Sequence, residues 1–216
     1  MILYSYYRSS AAYRVRIALA LKEIPHEIRA INLFENEQKT EDYRHINRQG
    51  LVPALVLPSG EVISQSGAIL EWLEERYADN PLYPAETMQR ATLRAICQHI
   101  ACDIHPLNNL RVLRYLGNEL ALDQSQIDGW YAHWIHEGFA AVEEFIKTMA
   151  GEFSMGARPG MLEVYLVPQV FNARRFNVSL DNFAGIVDLE QRCLELDAFS
   201  NTHPSVQLDN PGLNRS

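Results

Sequence analysis

Three residues, Arg8-Ser9-Ser10, join a short apolar run, Ile2 to Tyr6, to a helical pattern over Ala11 to Lys22. Either serine can cap that helix, and the helix start presents free N–H groups and a partial positive charge that favour an anion. If the anion is a thiolate, lowering a pKa of ~8.5 by two units raises its ionised share at pH 7 from roughly 3% to a majority. Each unit requires about 1.4 kcal/mol of selective stabilisation of the charged form. Local sequence leaves open whether the serines do more than cap.

Four other clusters share this character. Val52-Pro53 opens a strand; a cis bond there would turn the chain and present the Val52 backbone to a peptide, whereas a trans bond makes it an ordinary edge residue. Gln65-Ser66 precedes a helix and suits a carboxylate or a simple cap. In Asp103-Ile104-His105-Pro106-Leu107-Asn108-Asn109-Leu110-Arg111, the residues His105, Asn108 and Arg111 recur every third position, which on one continuous helix gives a shared polar face. Cys102 and His105 have metal-like spacing, but the further thiolate or acidic ligands of a closed site are missing, so no metal is expected. Arg174-Arg175 ends a helix, where a solvated end is the plain alternative.

The elements that must position these residues fall into two groups. Helix Ala11 to Lys22 is expected to bury Val15, Ala18, Leu19 and Leu21, with Arg14 and Lys22 outside. Strand Glu27 to Leu33, a short helix near Thr40 to Ile46, strand Leu51 to Leu57, a turn at Pro58-Ser59-Gly60, strand Glu61 to Ser64 and a helix through Tyr77 follow. The order βαβ then ββα is that of a thioredoxin fold. Ala78 to Glu86, with Pro81 and Pro84, reads as a linker. Beyond it the periodicity is helical: Leu93, Ile96, Ile100, Ile104 and Leu107 form one stripe, and Ile127, Tyr131, Trp134, Ile135, Val142, Phe145 and Ile146 another. Further helices are expected near Met161 to Ala173 and Gly185 to Leu196. The predicted architecture is an α/β thioredoxin-like domain, residues 1–80, followed by an all-α helical bundle, residues 87–216.

With 216 residues, 47% of them hydrophobic, the chain has material for two cores, and disorder is expected only in the polar stretch 205–216. A net charge of −8 argues against nucleic acid as a partner. No apolar run reaches membrane-spanning length and the start has no basic leader, so neither a membrane nor export is expected. Cys97, Cys102 and Cys193 are odd in number and sit in helical segments, as in a reduced cytoplasmic protein.

Taken together, Tyr4 to Ser10, Tyr13-Arg14-Val15-Arg16-Ile17-Ala18-Leu19, Leu51-Val52-Pro53, Gln65-Ser66, Asp103 to Asn109 and Leu166-Val167-Pro168-Gln169-Val170 resemble the zeta class of glutathione transferases. That class contains the maleylacetoacetate and maleylpyruvate isomerases, and the likeness runs from Ile2 to Asp209 in order and spacing. The resemblance implies the glutathione transferase fold, glutathione as cofactor, a homodimer, and cis–trans isomerisation of a small dicarboxylic diketo acid. It implies that Ser9 and Ser10 hold the glutathione sulfur and are the catalytic pair. Val52 and Pro53 would meet the cysteinyl backbone, Gln65 and Ser66 the γ-glutamyl end, and Asn108 would lie near the tripeptide. Arg8, His105, Arg111 and Arg175 would bind the substrate carboxylates, a task suited to planar guanidinium groups.

Two positions depart from the class. Ala11 stands where many members have cysteine after the serines, which also excludes a Cys-x-x-Cys. Gly160-Met161-Leu162-Glu163 keeps half of a capping box, so the helix it opens is expected to be weakly closed, and Gly160→Thr to strengthen it. A conjugating, dehalogenating or peroxidatic transferase would use the same thiolate. A non-catalytic relative would be expected to lose the serines or arginines, and a Ser-His-Asp hydrolase lacks its Gly-x-Ser-x-Gly elbow here.

Overall fold

The computed structural model describes residues 1–213. The chain folds into two compact units, Met1–Pro81 together with the segment from Leu194, and Leu82–Cys193.

The first unit is built on strands β1 (Ile2–Ser5), β2 (Glu27–Ala30), β3 (Ala54–Val56) and β4 (Val62–Ser64) in the order β2-β1-β3-β4. β1 runs parallel to β2 and antiparallel to β3, which pairs antiparallel with β4. With helices α1 (Ser10–Leu21), α2 (Glu41–Ile46) and α3 (Ser66–Arg76) this is the expected thioredoxin-like arrangement. β2 stops at Ala30, short of the predicted Leu33, and its four residues are exposed, as suits an edge strand.

Helix α1 has no solvent face over most of its length. Arg14 and Lys22, expected outside, are 1% and 8% exposed. The reason is that α3 and α9 (Asp197–Ser200) both pack on α1. Lys22 Nζ pairs with Glu74 at 2.6 Å and donates to the carbonyls of Tyr77 at 2.9 Å and Asn80 at 2.8 Å, just past the electronegative end of α3.

The second unit is helical: α4 (Thr87–Gln98), a π-helical segment (His99–Ile104), α5 (Leu110–Asn118), α6 (Gln124–Lys147), α7 (Met161–Arg175) and α8 (Ala184–Leu194). Glu86 caps α4, and Asp123 with Gln126 forms a full capping box on α6. α6 crosses the π segment closely, because Gly138 leaves room where a Cβ would strike the Ile104 side chain.

The opening of α7 keeps the Glu163 half of the capping box, as expected, and has no side-chain cap at Gly160. Buried Glu163 accepts the N–H of Gly160 at 2.7 Å, the N–H of Ser154 at 2.7 Å and the Ser154 hydroxyl at 2.5 Å. A capping threonine hydroxyl would accept the Glu163 N–H; the Ser154 hydroxyl instead donates to the Glu163 carboxylate and so braces that side chain without supplying the cap. A Cβ on Gly160 would run into Met155 and stand 2.8 Å from the Leu82 carbonyl and 2.9 Å from Ser154 Oγ.

No helix among the described residues is long and apolar enough to cross a membrane. None of the three cysteines forms a disulfide. The expected disorder over 205–216 is corrected for the described part: Pro204–Val206 form a 3-10 turn, Gln207 is 8% exposed, and Asn210 Nδ2 donates to the Ser205 carbonyl at 3.1 Å. Residues 214–216 lie outside the described residues.

Candidate active site

In the first unit the sheet register gathers the candidate residues. Tyr4 of β1, Ala54 of β3 and Ser64 of β4 form one rung. β1 leaves that rung toward Tyr6–Ser10, β3 reaches it from Val52–Pro53, and β4 leaves it into Gln65–Ser66. Antiparallel pairing therefore places all three segments at one end of the sheet.

Ser9 caps α1, its Oγ accepting the Ala12 N–H at 3.2 Å. A hydroxyl that accepts keeps its own proton to donate, so the capping role and the anion-binding role coexist. The first turn of α1 carries no acidic residue, leaving the N-terminal charge uncompensated from within the helix. Ser10 is buried, while Ser9 is half-buried. Arg8 donates to the Tyr6 hydroxyl at 3.1 Å and lies 5.0 Å from the centroid of the Tyr7 ring; its Nε is buried without a partner among the described residues. Burial opposes the Arg8 charge, but Tyr6 and Tyr7 more than offset it, so the guanidinium stays protonated.

The Val52–Pro53 bond is cis. The preceding carbonyl, that of Leu51, accepts from Tyr43 Oη and Asn47 Nδ2, both at 2.7 Å. No backbone bond of the described chain uses the N–H or C=O of Val52 itself. Gln65 has φ of 72°, a left-handed value that a residue with a side chain adopts at a cost of about 1–3 kcal/mol. Its amide donates to Gln49 Oε1 at 2.8 Å and does not cap α3, whose first turn also lacks an acid. The orphan N–H groups at Ser66 and beyond thus remain for an external acceptor. Arg14 Nη1 reaches Ser66 Oγ at 3.5 Å, a buried positive charge behind this second helix start.

In the second unit the expected single helix through Arg111 is corrected. Ile100 accepts the His105 N–H at 3.0 Å, a π-type bond, and the chain then turns through Pro106 to Asn109 before α5 begins. Pro106 has no N–H to continue the ladder, and Asn109 caps α5 through the Arg111 N–H at 3.1 Å. His105 and Asn108 therefore sit on a turn, and Arg111 is an exposed residue in the first turn of α5.

The structure does bring Asn108 and Arg175 into one cluster. Asn108 Nδ2 donates to the Tyr131 carbonyl at 3.2 Å, while its buried Oδ1 has no hydrogen-bond partner among the described residues. Trp130 Nε1 holds the same turn through the Leu107 carbonyl at 2.9 Å. The Tyr131 ring stacks on Phe176 with centroids 4.0 Å apart, and the Arg175 guanidinium lies 4.8 Å from the Phe176 centroid. Burial raises the Tyr131 phenol pKa and the nearby Arg175 charge opposes that rise. The two adjacent arginines differ: Arg174 forms an ion pair with Glu190 at 2.5 Å, whereas Arg175 is exposed above Phe176. Sequence reading missed Trp130, Tyr131 and Phe176, whose apolar spacing signals only core.

No group of three or more His, Cys, Asp or Glu among the described residues has the arrangement to hold a metal ion. A cavity of about 570 Å³ lined by Met88, Leu93, Phe145, Met149 and Phe153 belongs to the second unit and contains none of the candidate residues.

Residues 8–76 match the family model for the glutathione S-transferase N-terminal domain. Maleylacetoacetate isomerase of Pseudomonas aeruginosa is 42% identical over 98% of this chain and 99% of its own. A holo structure described as a maleylpyruvate isomerase, a bacterial zeta-class glutathione S-transferase, superposes with a TM-score of 0.93 at 41% identity, covering 97% of this chain and 99% of its own. The maleylacetoacetate isomerase of Methylobacterium extorquens AM1, solved with bound malonate and glutathione, superposes with a TM-score of 0.92 at 32% identity over 98% of this chain and all of its own.

Proposed function

Because the chain belongs to the zeta-class glutathione transferases, the family of the maleylacetoacetate and maleylpyruvate isomerases, we propose that it is a glutathione-dependent cis–trans isomerase. Its substrate in this reading is a maleyl diketo acid, maleylacetoacetate or its maleylpyruvate counterpart. The observation that carries the reading is the Tyr4–Ala54–Ser64 rung, from which two uncompensated helix starts and a free Val52 backbone emerge together.

These groups fit glutathione. A tripeptide with a thiol, a peptide backbone and a free carboxylate needs an anion site for sulfur, a strand-like partner and a second anion site. Ser9 with Ser10, Val52 with Pro53, and Gln65 with Ser66 are matched to those needs in turn. When bound, glutathione supplies a thiolate that adds to the cis double bond, makes it single while rotation occurs, and departs to leave the trans isomer.

The protein's part is electrostatic and positional. The Ser9 hydroxyl donates toward the sulfur, and the N–H groups at the start of α1 favour its anionic form. The family likeness assigns carboxylate binding to Arg8 in the first unit and to His105, Arg111 and Arg175 in the second, and assigns Asn108 to the tripeptide. Holding both carboxylates leaves rotation about the central bond as the remaining freedom. Ala11 costs the reaction nothing, since the thiol arrives with the cofactor. Three cysteines without a disulfide accord with a cytoplasmic setting, and the family with a homodimer.

The direct test is conversion of maleylacetoacetate and of maleylpyruvate to their fumaryl products, each with and without glutathione. Turnover of at least one acid that vanishes without glutathione and returns with catalytic amounts is expected. Equal rates without it, or consumption of glutathione in proportion to product, would contradict an isomerase.

A further inference from the structure

Tyr6 to Ser9 is a tight turn, the Ser9 N–H donating to the Tyr6 carbonyl at 2.9 Å, and it delivers the chain to the cap of α1. Its central residue, Tyr7, is held at both backbone groups by residues remote from it. The Tyr7 N–H donates to Asp209 Oδ2 at 2.8 Å across 202 positions of sequence. The Tyr7 carbonyl accepts from Arg16 Nη2 at 3.1 Å. Arg16 also donates to Ser5 Oγ at 2.9 Å and to the Thr202 carbonyl at 3.2 Å.

Arg16 is 1% exposed. Burial lowers its pKa to about 10, with the charges of Tyr13 and Asp209 working the other way, so it is charged at neutral pH. Asp209 thus does two things: it accepts the turn's N–H and it balances the cation beneath the turn. The segment that carries it is itself anchored, since Gln207 Nε2 donates to the carbonyls of Asn201 at 3.4 Å and His203 at 3.2 Å, and Pro204 is buried. All of these residues belong to the first unit.

We propose that Asp209 is a positioning residue for the sulfur site: by fixing the Tyr7 N–H it locks the Tyr6–Ser9 turn and so sets where the Ser9 hydroxyl points. The chain's C-terminal segment then acts as a latch on the catalytic turn. The proposal rests on the reading of Ser9 as the sulfur donor. It goes beyond that reading in assigning a role to a residue that touches neither glutathione nor substrate.

The test compares Asp209→Ala and Asp209→Asn with the wild type in the full-length protein. Asparagine keeps a carbonyl oxygen for the Tyr7 N–H but loses the charge. Backbone hydrogen exchange over Tyr6 to Ala12 is expected to accelerate about tenfold or more in Asp209→Ala and to return at least halfway in Asp209→Asn. In parallel the KM for glutathione rises about tenfold in the alanine variant, and the titration midpoint of the bound thiol rises by about half a unit, with the asparagine variant nearer wild type. Wild-type exchange and wild-type KM in Asp209→Ala would overturn the latch. So would equal impairment of both variants, which would make the charge rather than the hydrogen bond responsible. If the wild type itself binds no glutathione, the isomerase reading falls, while the exchange comparison still decides whether the latch exists.

Discussion

Ser9 spends one lone pair on Ala12 N–H, and its remaining proton is free for a guest. Removing the hydroxyl therefore has two separable effects. Ser9→Ala should cost about 1 kcal/mol of stability through the lost cap, read by chemical denaturation. It should also lower kcat/KM for the glutathione-dependent isomerisation at least about tenfold, because a charged sulfur loses a donor. A variant that loses the stability yet keeps full activity would make Ser9 a cap and nothing more. At this scale the sequence was most readable where chemistry is local: serines before a helix, a proline opening a strand, a Gln-Ser pair before the next helix. It was silent where partners come from afar. Nothing in the polar stretch around Asp209 marks it as the acceptor for Tyr7, and nothing in an apolar stripe marks Tyr131 as the prop between Asn108 and Phe176.

Elements were legible by period, and the misreadings have physical causes. Arg14 and Lys22 fall on the polar side of α1 in a helical projection, but α3 and the residues just after it meet that side, so both are buried and bonded. Lys22→Met, which leaves the buried Glu74 carboxylate without its cation, is expected to destabilise the fold by about 3–5 kcal/mol. An unfolding free energy within 1 kcal/mol of wild type would show that water reaches the pair. The helix through His105 was predicted as continuous because three polar residues fit its period, and Pro106 breaks it instead. At the start of α7 the hydroxyl cap is missing, as the sequence implies, and Ser154 instead braces the Glu163 carboxylate from outside the helix. Gly160→Thr should melt below the wild type, by about 1–3 kcal/mol in unfolding free energy, because its Cβ has no room. A higher melting temperature would show that the Cβ is accommodated and that the added hydroxyl cap outweighs it.

For the molecule as a whole, composition pointed away from nucleic acid and membrane, and the order of elements pointed to a thioredoxin-like unit and a helical one. Composition could not show that the segment from Leu194 packs with the first unit, since that depends on tertiary contacts such as Arg16 with Thr202 and Tyr7 with Asp209. The acidic net charge of −8 coexists with a set of arginines assigned to a dianionic substrate, so charge balance over the chain says little about charge at the site. What the isomerase needs from its protein is one anion made cheap at neutral pH, and every proposed role depends on it. Ultraviolet titration of the thiolate of glutathione bound to the wild-type protein measures that directly. A midpoint about two units below that of the free thiol, ~8.5 for an unperturbed cysteine, is expected; a bound sulfur that protonates at the same pH as in free solution would contradict it.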